Sequence, residues 1–94
     1  MNKIRFNHIR NQANRLIATV ATEQLDAENL RVSCSVCHEH DVPTRLLGRT
    51  IAEGRLRKRS GTVEMSLEQF KKELSDKTLL HRFANKYVLR RLGL

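Results

Sequence analysis

Between Asn7 and Gln24 the apolar positions Ile9, Ala13, Leu16, Ile17, Val20 and Ala21 recur at helical spacing, with polar Asn11, Gln12, Asn14 and Arg15 between them. That period predicts an amphipathic first helix over residues 7–24. Ser33 is placed to cap a second, two-turn helix whose apolar side is Val36, Cys37 and His40, and Asp41 breaks it. A third helix starts near Pro43, whose ring suits a first helical turn, and runs through Leu46, Leu47 and Ile51 to a stop at Gly54. From Arg55 to Met65, Leu56, Val63 and Met65 alternate with polar residues around Ser60-Gly61, which predicts a short two-stranded hairpin with a basic tip. Ser66 and Gln69 form the S-x-x-Q signature of a helix start, with Leu67, Phe70 and Leu74 on one side. Leu79, Leu80, Phe83, Ala84, Tyr87, Val88 and Leu92 mark a last amphipathic helix over residues 78–92, closed by Gly93. The expectation is a mainly α fold.

Length and composition narrow this further. The chain has 94 residues, of which 39% are hydrophobic, enough for one small domain with one core spanning residues 1–94. With Phe6, Phe70, Phe83 and Tyr87 as its only aromatics and no Trp, it has little with which to enclose a flat cofactor, and none is expected. No apolar run approaches the roughly 20 residues of a membrane span, and residues 1–15 are polar where a signal peptide is apolar, so the expected location is the cytoplasm, away from membranes.

Charge changes the picture more than composition does. Eighteen Lys+Arg against ten Asp+Glu give a net +8, and the sign is segregated. Glu23, Asp26, Glu28, Glu39 and Asp41 make one stretch acidic; Arg45, Arg49, Arg55, Arg57, Lys58 and Arg59 face Glu53 alone in the next; residues 77–94 hold no acid. Such clustering points to a polyanionic partner.

The segment from Leu30 to Leu74 resembles the winged helix-turn-helix of excisionases, MerR-type regulators and phage terminase small subunits. The resemblance lies in the order of features: Val42-Pro43 at the turn, Ile51-Ala52-Glu53-Gly54-Arg55-Leu56 ending the third helix, and Val63-Glu64-Met65-Ser66 after the basic tip. It implies a winged helix-turn-helix core at residues 30–74, flanked by the helices at 7–24 and 78–92, which either pack over the core or form a homodimer. It also implies binding to double-stranded DNA, in recombination, packaging or transcription control. Thr44, Arg45, Gly48 and Arg49 would then lie on the recognition helix, the arginines reading guanine edges. Arg55, Arg57, Lys58 and Arg59 would hold the backbone from the wing. Gly48 stands where such helices carry a larger residue, and close backbone approach is what a glycine offers there. Twenty residues after Leu74 leave no room for the dimerisation coil and effector module of MerR-type regulators, so the excisionase-like pattern fits better.

Two other chemistries come into view. Cys34-x-x-Cys37-x-x-His40 has the start of zinc-ligand spacing but no second knuckle, and the competing reading makes Cys37 a small core residue. Catalysis is not expected, since no Gly-rich phosphate loop, paired-carboxylate cleft or complete triad accompanies these residues. The rival to DNA is a protein partner, with the basic face of an inhibitor or adaptor docked on a nucleic-acid enzyme.

Overall fold

The structure, a computed structural model, describes residues 3–37 and 45–94. It contains strands β1 (Ile4–Arg10), β2 (Leu16–Gln24) and β3 (Asn29–Val36), helix α1 (Arg45–Lys58), strand β4 (Val63–Ser66), helix α2 (Leu67–Asp76), a 3-10 turn (Thr78–Arg82) and the short helix α3 (Lys86–Arg91). The strands form one antiparallel sheet in the order β1-β2-β3-β4. The fold is therefore α+β, which corrects the mainly α winged helix-turn-helix expectation.

The largest correction is at residues 7–24, where a hairpin replaces the helix. Ile17, Thr19, Val20 and Thr22 are β-branched, and branched side chains lose rotamer freedom in a helix but pack well on a pleated surface. Asn11 closes the turn: its side-chain oxygen accepts from the backbone N–H of Ala13 and of Arg15, both at 3.0 Å. Asn14 takes the left-handed conformation at φ 61° that Asn tolerates better than most residues. β2 looked like a helix because both of its faces are covered. Leu16 to Thr22 are buried without a break, so the two-residue alternation of a half-exposed strand is absent.

Ser33 to Val36 of the second expected helix belong to β3, its residues 38–40 lying outside the described ones, and the expected wing is absent. Arg55 to Lys58 form the last turn of α1, which runs past Gly54, while Val63–Ser66 pairs with β3 and not with the preceding segment. The expected final helix is divided into the 3-10 turn and α3.

The sheet separates two layers. On one face Ile9, Val20, Leu30, Val32, Cys34 and Met65 pack with Phe70, Leu79, Leu80 and Leu89 from α2, the 3-10 turn and α3, making the main core. Ser66 caps α2 by accepting from the Gln69 N–H at 3.1 Å, as its signature predicts. The Gln69 side chain turns instead to Glu73. On the other face α1 lies across β2 and β3 over a second, smaller cluster of Ala21, Ala52 and Leu56, edged by Ile4 and Phe6.

Candidate nucleic-acid interface

Small residues bring α1 down onto the sheet. A Cβ on Gly48 would stand 2.3 Å from Thr19 Oγ1, so the helix backbone occupies the space a side chain would need. Four residues on, Ala52 is fully buried and its carbonyl accepts a 2.6 Å hydrogen bond from Ser33 Oγ. The close approach expected of Gly48 is thus made to β2, inside the protein.

The same docking fixes the basic side chains. Facing α1, β1 presents Ile4, Phe6 and His8, which pair in register with Glu23, Ala21 and Thr19 of β2. Arg49 lies over the Phe6 ring, 4.7 Å from its centroid, a cation–π geometry that holds the guanidinium beside the sheet edge. His8 Nδ1 shares a 3.0 Å hydrogen bond with Thr19 Oγ1. Burial, then the charges of Arg45, Arg49 and Arg10, lower the His8 pKa, so among the described residues the charges acting on this imidazole are those of cations. Among the described residues none of those arginines is paired with a carboxylate, the ion pairs there being those of Arg31, Arg57 and Arg82. His8, Arg10, Arg45 and Arg49 therefore form a positive surface along the β1 edge and the flank of α1.

Acidic residues near the sheet are engaged elsewhere. Arg31 on β3 bridges Glu23 on β2 at 2.9 Å and Glu64 on β4 at 3.0 Å, three residues in cross-strand register. This ladder neutralises the far end of the α1 face.

The residues expected from sequence are divided. Thr44 and His40 lie outside the described residues. Arg45 and Arg49 belong to the positive surface, but on the β1 side of α1 and not on an outward recognition face. Gly48 is a packing residue. Arg55 donates to the Cys34 carbonyl, and Arg57 forms an i,i+4 pair with Glu53 at 3.6 Å. Lys58 ends α1 and Arg59 follows in the left-handed conformation at φ 54°; both are exposed, at a helix C-terminus where cations complement the dipole. None of these four is on a wing, because the hairpin does not exist.

Cys34 is on β3, fully buried in the main core, where burial pushes its thiol up to about 12. Cys34 is thus a core side chain of the sheet, packed among Val20, Val32 and Leu80 in the main cluster. The Cys37 thiol points at the Leu16 carbonyl, 3.6 Å away.

His8, Arg10 and Phe6 were not singled out from the sequence. Their signal is the alternation Phe6-x-His8-x-Arg10, legible only once this segment is read as an edge strand. Among the described residues no helix is long and apolar enough to cross a membrane. Comparison of the chain with protein-family models, curated proteins and solved structures gives no match.

Proposed function

We propose that the chain binds double-stranded DNA through its phosphate backbone, using the surface made by His8 and Arg10 of β1 and Arg45 and Arg49 of α1. The observation that carries this reading is the gathering of Arg10, Arg45 and Arg49 about His8, with Arg49 seated on Phe6 and no carboxylate among the described residues paired with any of the three. Cations with no carboxylate partner among the described residues, Arg10 donating only to the Asn14 carbonyl, suit phosphates, whose condensed counterions they release on binding. The net +8 adds long-range attraction to the same partner. Arg49 rests on Phe6 and Arg45 acts on His8, so the reading is one of backbone holding with little discrimination between sequences. A mobility-shift assay with two unrelated random-sequence duplexes tests it. Similar affinities that weaken steeply with salt are expected, and no salt-dependent binding to either duplex contradicts it.

A protein partner has one observation in its favour. Leu46, Leu47 and Ile51 on α1 are 74%, 46% and 37% exposed, beside the arginines. An apolar patch rimmed by cations suits a protein surface rimmed by carboxylates. Leu46→Ser and Ile51→Ser would abolish that docking and leave duplex binding unchanged.

A further inference from the structure

A second cationic concavity lies on the opposite face of the sheet. α2 packs against β3 and β4, and between it and β1 is an open groove of about 540 Å3. Lys3, Arg5 and Asn7 line it from the β1 side, Thr22 and Gln24 from β2, and Lys71 from α2. Phe6, Leu30, Leu67 and Phe70 supply its apolar lining, the last two sharing one stripe of α2 with Lys71 at i, i+3 and i+4 spacing. Arg5 and Asn7 alternate along β1 with Phe6 and His8, so the groove's cation on β1 and the His8 imidazole leave opposite sides of the same strand, Phe6 being the residue that borders both surfaces.

The lining is electrostatically one-sided. It holds Lys3, Arg5 and Lys71 and no carboxylate, and among the described residues none of these cations has an ion-pair partner. Beside them the Asn7 side chain brings a donor that can join the coordination of a phosphate, while the Gln24 amide donates to the Asp26 carbonyl and Thr22 is buried. Its volume falls within the range of about 300–1,000 Å3 usual for small-ligand sites, which combine apolar lining with a few polar groups.

We infer that this groove binds a small organic phosphate of the nucleoside monophosphate type, its phosphate held between Lys3, Arg5 and Lys71 and its flat apolar part resting on Leu67 and Phe70. The phosphate supplies the charge that the cations leave unmatched, and the attached ring system takes the apolar stripe of α2. Inorganic phosphate satisfies only the first requirement and an uncharged nucleoside only the second.

The test is a titration of the 15N-labelled full chain, followed by amide chemical shifts, with adenosine 5′-monophosphate, adenosine and inorganic phosphate in parallel. Adenosine monophosphate is expected to give saturable shifts at Arg5, Asn7, Thr22 and Lys71, inorganic phosphate weaker binding at the same amides, and adenosine none. Loss of one charge-assisted contact in Lys71→Ala should weaken adenosine monophosphate binding about tenfold. Lys71→Arg should largely restore it, and both variants should keep the wild-type spectral dispersion and the wild-type salt dependence of duplex binding. Absence of saturable shifts, equal shifts with adenosine, or shifts confined to His8, Arg45 and Arg49 would each overturn the inference. Those results leave the duplex reading standing, since it rests on other side chains.

Discussion

Gly48 of α1 and Thr19 of β2 are in direct apposition: a Cβ at position 48 would fall 2.3 Å from Thr19 Oγ1 and 2.9 Å from Thr19 Cβ. Thr19 cannot easily give way, because it is 2% exposed and its hydroxyl is bonded to His8. Gly54, further along α1, has nothing within 4 Å of its would-be Cβ. The same substitution should therefore have opposite effects at the two positions. Gly48→Ala should destabilise the fold by about 1–3 kcal/mol through overpacking. Gly54→Ala should stabilise it by about 1 kcal/mol through helix propensity. Urea unfolding of both variants measures this.

Core substitutions should distinguish the two phenylalanines of the helical layer. Phe70 is 6% exposed within the main core, whereas Phe83 is half-buried at its margin. Phe70→Ala should cost about 3–5 kcal/mol, and Phe83→Ala clearly less than the cost expected of a fully buried ring. Calorimetric melting of both variants orders them.

Acid should loosen the attachment of the 3-10 turn to α2. Arg82 grips Glu73 with two hydrogen bonds, at 2.7 and 2.8 Å, and Gln69 donates to the same carboxylate. Hydrogen bonding from Arg82 and then from Gln69 lowers the Glu73 pKa from 4.5 to about 2. Since the folded value lies below the unfolded one, the stabilisation is complete above about pH 4.5 and disappears as pH falls through about 2. Glu73→Gln should melt lower than wild type at neutral pH and lose less on acidification across that window.

The helical layer was partly legible in the sequence. Ser66 announced α2 because a cap is a local feature, and Leu46 to Ala52 announced the body of α1. The sheet was misread because its evidence is non-local. Leu16, Ile17, Val20 and Ala21 fit a helical period as well as they fit a strand covered on both faces, and the local signals for the hairpin were the Asn11 and Asn14 turn chemistry and the β-branched residues of β2. The basic site was half legible for the same reason. Arg45 and Arg49 stood out by charge, while His8 and Arg10 join them only through pairing of β1 with β2 and docking of α1. Gly48 was singled out as a point of close approach, but which surface approaches it depends on the whole fold.

His8 should report on phosphate binding. Burial, then Arg45 and Arg49 on α1 and Arg10 on its own strand, disfavours the imidazolium, so its pKa lies below 6.5 in the free protein, where Thr19 on β2 bonds the ring. A phosphate between these cations reverses that balance, so duplex addition should raise the His8 pKa and couple binding to proton uptake. Binding should then tighten as pH falls toward the free-protein value. The His8 ring protons, followed by NMR with and without duplex, give the comparison.

The salt dependence of duplex affinity, measured on wild type and on the Arg45→Ala/Arg49→Ala double variant, addresses the central claim most directly. Each phosphate contact contributes about one unit to the slope of log affinity against log salt, so the double variant should lose about two units and bind both random-sequence duplexes more weakly. A double variant with the wild-type slope and affinity would contradict the account, because the surface at the junction of β1 and α1 would then not be the one that holds DNA.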